Sequence, residues 1–595
     1  MSTKRINLHS LGIGNFKAFG QTQQIPIRPL TLIYGANSAG KSSIIHSLLL
    51  ARHGLENGNV DVHQTKLGGE SLDLGGFRQY VHKRDGTRDF FWSIEGAHPI
   101  VESIAKHLGG FSRTEGRFEI GFADAVNSDR SAPTTPRVVA FELHLDGRRF
   151  LRLEHQPGGR LHCVSLNFEH RSLSEAIDRY LDDLARGDLY SFSERERTDE
   201  EETELEQRRR AKKLELLRQL RELQEVIAAD IAKVPFSTNH IIPLPEVPEG
   251  EENDYAYVYS DYDSDAILDS FNSNLNSDFM NFDSNSICDN QGSDDFEIIA
   301  RKLRYEIEQL FKIVVRPLFT GLLTQLVYLG PLRCYPPRHL TGMQDQDPNW
   351  FSGGGQAWEI LRQSPEVLQA VNHWLTAPNR LAKGYRLSVQ TLVALQNLEL
   401  ALQAQLEDAL GRLRVSPNSS VTQQAEAVVR NLIASKPVGA LSEIVIKDIQ
   451  SGTDVSHRDI GQGISQVLPV LVNAFALERA IIAIEQPELH LHPALQSELA
   501  DVFIESALGD RGNTFLIESH SEHLLLRIMR RMRETHNGTL PEGKHAITPE
   551  HVAVLYVEPF GDRSVVREMP LNARGELIKD WPGGFFEEGL REVLT

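Results

Sequence analysis

The stretch TLIYGANSAGKSSIIHSLLLARHGL, residues 31–55, changes character in its middle. Its first residues read as an apolar strand, and the residues after Ser42 repeat apolar side chains at helical spacing. Between them, GANSAGKS (residues 35–42) fits the phosphate-binding pattern G-x-x-x-x-G-K-[ST]. Each residue type has a task there. Gly35 and Gly40 let backbone amides approach an anion around Asn37, Lys41 reaches the outer phosphates, and Ser42 offers a hydroxyl to magnesium. Ser43 opens the helix whose N-terminal amides favour negative charge. Chance alone produces such a match on the order of a few per cent of the time in a chain of this length, and the flanking strand and helix reduce that further. The expected fold class is α/β, with a nucleotide held where a strand turns into a helix.

A site of this kind needs an acid at the end of a second apolar strand to hold magnesium. AIIAIEQPELHLHP, residues 480–493, supplies Glu485. Standing alone, AIIAIE would be a buried strand with an acid at its exposed end. The next residue, Gln486, occupies the place where a nucleotide-hydrolysing site would be expected to carry a carboxylate. An amide accepts no proton at neutral pH, so Gln486 can orient a water but is no general base. Glu488, two residues on, is the candidate substitute acid. Further along, TFLIESHSEHLLLR brings another strand ending near His520, whose imidazole can bond a γ-phosphate or the attacking water. Upstream, DIGQGISQ puts Gly461, Gly463, Ser465 and Gln466 at a helix start, where amides and a hydroxyl face an anion. His490 and His492 alternate with leucines, and we read them as loop residues at a contact between copies rather than as zinc ligands.

The formal net charge of −20 argues against nucleic acid until it is located. Between Val234 and Ala300 there is no Lys or Arg, whereas 15 Asp and Glu fall between Glu246 and Glu297, three quarters of the imbalance. The rest of the chain is close to balanced and has room for basic surfaces that hold phosphate backbones. No apolar run approaches a membrane span. The opening MSTKRINLHSLGI alternates like a strand rather than a signal peptide, so a cytoplasmic location is expected. Cys163, Cys288 and Cys334 lie far apart without a CxxC, which indicates neither a disulfide framework nor a zinc knuckle.

Five segments follow from the patterning. Residues 1–190 form an N-terminal lobe with the phosphate loop and antiparallel strands, including a hairpin or meander over 134–168. Residues 191–240 form a charged helical arm with Leu216, Leu220, Leu223, Ile227 and Ile231 along one face. Residues 241–297, rich in Asp, Asn and Ser, have too little apolar surface to order themselves. Residues 298–440 make a mostly helical insertion, with helical patterns over 296–326 and 356–433. Residues 441–595 form a C-terminal lobe that returns to strand and helix alternation.

Phosphate loop, glycine-and-serine helix start, acid-ended strand and histidine-ended strand, in that order and with a long insertion after the first, resemble the ABC-type ATPases of the SMC, RecF and OLD group. YLGPLR, DIGQGISQVLP, EQPELHLHP, ESHSEHLLLR and the closing DWPGGFFEE resemble more closely the prokaryotic AAA-type ATPases with a C-terminal domain of unknown function. The resemblance covers both ends of the chain and little of residues 190–300. It implies an ABC-ATPase-like head split by the insertion, ATP and Mg2+ as cofactors, and two ATPs sandwiched in a head-to-tail homodimer or higher oligomer. DIGQGISQ would be the signature segment that meets the partner's ATP, His520 the switch histidine, and Gln79 in LGGFRQYVHK the Q-loop glutamine. The signature departs from the usual serine-glycine-glycine order, and Gln486 departs from the usual glutamate, which implies slow or partner-stimulated hydrolysis. Septu-type defence ATPases, which work beside an HNH nuclease, are relatives of the kind this suggests. The expected role is therefore an ATP-gated dimer that senses DNA or RNA and controls an effector in phage defence or genome maintenance. Two other readings stay open. An OLD-like enzyme would carry its own nuclease, against which stand the 75 residues after His520 and their lack of a D-x-D pair. A transporter ATPase subunit would need a membrane partner and rarely carries so large an insertion.

Overall fold

A computed structural model describes residues 7–97, 111–122, 135–156, 160–190, 294–334, 347–377, 384–392, 400–415, 419–434, 441–455 and 462–582, with a few isolated residues between 207 and 245. Most of the helical arm, nearly all of the acidic segment, Gly461 and the closing GGFFEE lie outside the described residues.

The N-terminal lobe runs β1 (Asn7–Gly14), β2 (Gln23–Pro26), β3 (Leu30–Gly35), helix α1 (Lys41–Asn57), β4 (Phe90–Ala97), β5 (Thr114–Gly121), β6 (Arg137–Leu145), β7 (Arg148–Gln156), β8 (Arg160–Leu166), β9 (Phe236–Ser237) and β10 (Leu244–Pro245). Helices α2 (Asp294–Gln309) and α3 (Arg316–Thr324) lead into β11 (Leu326–Leu329), and β12 (Tyr385–Leu392), β13 (Leu441–Asp448) and β14 (Asp454–Val455) follow. The C-terminal lobe is α4 (Gln462–Ala476), β15 (Ile481–Glu485), α5 (Pro493–Leu508), β16 (Thr514–Glu518), α6 (Glu522–His536), β17 (Val552–Phe560) and β18 (Arg563–Glu568).

All of these strands fall into three sheets. A nine-stranded antiparallel sheet has the order β10-β9-β8-β7-β6-β5-β4-β1-β2. A six-stranded sheet, β11-β15-β16-β3-β17-β18, is parallel except at its β18 edge. A small third sheet is ordered β12-β13-β14. The six-stranded sheet positions the site, and it draws on both halves of the chain: β3 lies between β16 and β17, so the phosphate loop is held by strands more than 480 residues away.

Period-two alternation divides its side chains between two cores. Ile33, Tyr328, Ile481, Ala483, Leu516, Leu555 and Val557 join α1 and the nine-stranded sheet on one face. Leu32, Tyr34, Ile482, Ile484, Phe515, Ile517 and Val554 join α4, α5 and α6 on the other. A strand buried on both faces reads as a continuous apolar run, which is why TLIY, AIIAI and TFLI look alike in the sequence. Burying each such Leu, Ile or Phe is worth about 1.5–3 kcal/mol, so the central strands are held rigidly up to their polar ends.

Two expectations change. The span 356–433 is not helical throughout: YRLSVQTL forms β12, paired residue for residue with β13 from Tyr385↔Asp448 to Leu392↔Leu441. Its alternation is short and flanked by helices, so a long helical pattern absorbed it. The insertion also contributes an edge strand to the nucleotide sheet, because β11 pairs in parallel with β15. Among the described residues, no helix is long and apolar enough to cross a membrane.

Candidate nucleotide site

The ends of β3, β16 and β15 lie side by side, at the carboxyl edge of parallel strands where open α/β sheets bind ligands. At the end of β3 the chain must turn sharply into α1. Gly35 has φ 146° and a Cβ there would lie 2.2 Å from the Val557 carbonyl oxygen; Gly40 has φ 94° and a Cβ would meet Ala18 at 2.5 Å. Both positions demand glycine. Ala36, Asn37 and Ser38 are exposed at the loop's tip. Lys41 is buried, and its ammonium donates to the carbonyls of Gly35 (3.1 Å) and Ala36 (2.9 Å) while standing 3.9 Å from a Glu518 carboxylate oxygen. Burial holds its pKa below the usual lysine value, against the opposing charges of Glu518, Glu485 and Glu488. Ser42 is half-buried, whereas Ser43 is buried and its amide donates to the Gly40 carbonyl at 3.1 Å.

Glu485 closes β15. One carboxylate oxygen accepts from Tyr328 Oη (3.0 Å) and from His46 Nε2 (3.2 Å). On the far side of the ring, Lys17 Nζ lies 2.6 Å from His46 Nδ1. An ammonium only donates, so Nδ1 accepts and the ring proton is assigned to Nε2, aimed at Glu485. Burial pushes the Glu485 carboxyl up, but the His46 and Tyr328 hydrogen bonds and the Lys17 charge outweigh it and leave it below the ordinary value. Burial also keeps the His46 imidazole below its usual pKa and lowers Lys17 to about 8. The acid expected to hold magnesium is thus held below the ordinary carboxyl range by Tyr328, His46 and Lys17.

Glu518 closes β16 in direct register with Glu485. Burial first, then the Glu485 charge, push its carboxyl up to about 7, against a hydrogen bond from Ser42 and the charge of Lys41. Glu488 is buried as well; it accepts the His520 amide at 2.7 Å, and burial raises its pKa. Gln486 sits at φ 47°, its amide donating to the Glu518 carbonyl (2.8 Å). The buried Arg333 guanidinium donates to the carbonyls of Glu485 (2.8 Å) and Gln486 (3.4 Å), and burial lowers its pKa to about 10.

The structure therefore brings together Gly35, Gly40, Lys41, Ser42, Glu485, Gln486, Glu488 and His520. His520 is exposed beside the loop, and partial loss of solvent together with the Lys41 charge keeps its imidazole below the usual pKa. Gln79 is exposed on a single turn, Phe77–Tyr80, and among the described residues no hydrogen bond or ion pair joins it to Lys41, Glu485 or Glu518.

The signature segment departs most from expectation. Helix α4 begins at Gln462, which puts Ser465 and Gln466 on its buried face, 0% and 7% exposed. Gln466 uses both ends of its amide on the Arg333 backbone, accepting at 3.3 Å and donating at 3.0 Å. These two side chains are packed inside their own chain. Gly463 is close-packed too, since a Cβ there would lie 2.7 Å from the His490 carbonyl oxygen. His492 caps α5, its ring accepting the Ala494 amide at 3.3 Å.

Sequence reasoning missed Lys17, His46, Tyr328, Arg333 and Glu518. For Glu518 a signal was present, because TFLIE repeats the apolar-run-then-Glu form of AIIAIE.

These residues fit a magnesium-bound nucleotide. The loop supplies glycines, a buried cation and a hydroxyl, and one oxygen each of Glu518 and Glu488 is buried without a hydrogen-bond partner, offering lone pairs that a cation satisfies. Residues 387–525 match the family model described as AAA ATPase domain, a span that includes α4, β15 and β16. No curated protein matches. Among solved structures, the chain is similar to an Smc head domain with an extended coiled coil bound to the C-terminal domain of ScpA from Pyrococcus furiosus. That match has 11% identity and a TM-score of 0.32, and covers 95% of this chain and 96% of that one. It is similar also to the SMC head domain from Thermotoga maritima (8% identity, TM-score 0.31, 95% and 100% covered). A third is an Smc head domain with a coiled coil and joint from Pyrococcus yayanosii (12% identity, TM-score 0.31, 96% and 98% covered). A phosphate loop, an acid-ended strand and a histidine-ended strand meet at one sheet edge, and across two of the three, within residues 387–525, the chain is similar to an AAA ATPase domain.

Proposed function

We propose that this chain binds Mg·ATP, hydrolyses it slowly or only when stimulated, and uses the bound nucleotide to hold two copies head to tail. The ATP-held dimer then controls a separately encoded effector, an HNH nuclease being the expected kind, in nucleic-acid-directed defence or genome maintenance. Gln486 carries the reading. It follows directly on the magnesium-side acid, its backbone is held by Glu518 and Arg333, and its side chain cannot take a proton from water. Glu488, the substitute acid, is partly committed to the His520 amide. A site that binds well and turns over slowly suits a switch whose signal is the lifetime of the bound state. In the proposed dimer, Gly461 and Gly463 bring the start of α4 toward the partner's ATP through backbone amides alone.

Two measurements on the purified chain test this. Turnover is expected to be slow, and to fall further in Gln486→Ala; brisk hydrolysis indifferent to that substitution rejects the slow-switch reading. Sedimentation is expected to shift from monomer to dimer with ATP and Mg2+, and Lys41→Ala to abolish the shift. An unchanged sedimentation coefficient with ATP rejects the sandwich.

A further inference from the structure

We propose that Glu518 is a second carboxylate of the magnesium site, holding the ion beside Glu485 either directly or through one of its waters. The inference deepens the reading above and rests on this being a Mg·ATP site.

Glu485 and Glu518 are register partners on neighbouring parallel strands, about 4.8 Å apart by strand spacing. Both are more than nine-tenths buried, at 7% and 5% exposure. Their carboxylates differ in what surrounds them. Glu485 has one oxygen held by both His46 and Tyr328, whereas Glu518 keeps one buried oxygen without a partner, and so does Glu488 at 9% exposure. The other Glu518 oxygen faces the phosphate loop, 3.9 Å from the Lys41 ammonium, next to Ser42, the hydroxyl that such a loop turns toward magnesium. The unsatisfied oxygen therefore sits at the side of the loop where the ion belongs.

Charge leads to the same place. Three acids, Glu485, Glu488 and Glu518, act on the buried ammonium of Lys41. A bound triphosphate draws that ammonium to itself and adds its own negative charge opposite the acids. Like charges packed this closely in a buried site repel by several kcal/mol unless a cation lies between them. Ser42 and the two register-paired carboxylates would hold a divalent ion that supplies that charge, with oxygen ligands of the type magnesium takes.

The test compares binding of a fluorescent ATP analogue to the full chain in EDTA and in saturating Mn2+, for wild type, Glu518→Gln and Glu518→Asp. The readout is the metal-dependent gain in affinity. Glu518→Gln is expected to bind as well as wild type or better in EDTA, because a repulsive charge is gone, and to lose at least about tenfold of the Mn2+ gain. Glu518→Asp, which keeps the charge on a shorter stem and stands in if the Gln variant does not fold, is expected to lose part of it. A gain within twofold of wild type in either folded variant overturns the assignment while leaving the nucleotide reading intact. Failure of wild type itself to bind the analogue in Mn2+ overturns both.

Discussion

At the scale of single residues, Glu518 ties the site's electrostatics to stability. Its carboxyl is pushed up to about 7 in the folded chain, above the ordinary value of 4.5, by burial and then by the Glu485 charge. Folding therefore favours the protonated form. The stabilisation is fully present below pH 4.5 and is lost as pH rises through 7. Glu518→Gln removes this dependence, so in EDTA its thermal midpoint should match wild type near pH 5 and exceed it at pH 8. The advantage at pH 8 is on the order of 3 kcal/mol, a shift of several degrees. Scanning fluorimetry at the two pH values checks it, and a gap that does not widen with pH speaks against a raised Glu518. Residues fixed by local spacing were legible in advance: Gly35, Gly40 and Lys41 are forced by a strand that turns into a helix within six residues. Lys17 and His46 were not, because what defines them is contact across the fold. His46 meets an acid 439 positions away, and neither NFKAFG nor SIIHSL marks that meeting locally.

At the scale of elements, the apolar runs announced the buried strands β3, β15 and β16, while the joints between elements were hidden. YLGPLR was noticed as a pattern, but its chemistry appears only in three dimensions: β11 runs beside β15, and Arg333 just beyond it reaches the turn at Glu485 and Gln486. Gln466 clasps the backbone of the same arginine, so Arg333 joins α4 to the end of β15. The same packing buries Ser465 and Gln466, which the sequence pattern places at an exposed helix start. Residues three and four positions into a helix fall on whichever face packing selects, and here that face is the core. Arg333→Lys keeps the charge but gives up the planar fork that reaches two carbonyls. Losing charge-assisted hydrogen bonds in a buried place costs about 1.5–3 kcal/mol each. A midpoint lowered by roughly 5 °C is expected from thermal unfolding. A variant within one degree of wild type would mean that the arginine bridges the joint without stabilising it.

At the scale of the whole molecule, the two halves of the chain are interleaved in one sheet, and the halves of the candidate nucleotide site arrive with them. Lys41 and Ser42 come with β3, Glu485 with β15 and Glu518 with β16, so the site exists only when residues 30–57 and 462–568 have docked. The proposed switch then turns on one side chain at that seam. Gln486 occupies a left-handed backbone position, φ 47°, and its main chain is held at both its amide and its carbonyl. Glutamate has the same shape and the same backbone preferences, so Gln486→Glu should leave the turn unchanged while adding a group able to accept a proton from water. Positioned general bases contribute roughly 10²–10⁴-fold, and even a poorly tuned one here should raise ATP turnover at least about tenfold. The same substitution should shorten the life of the ATP-held dimer, because hydrolysis removes the nucleotide that bridges it. Steady-state turnover and sedimentation after ATP addition read the two effects on one preparation. Faster turnover with a shorter-lived dimer supports a molecule whose output is the time it spends closed. Turnover unchanged within twofold would mean that the missing carboxylate does not limit hydrolysis, and that the slowness, if observed, has its origin in another part of the site.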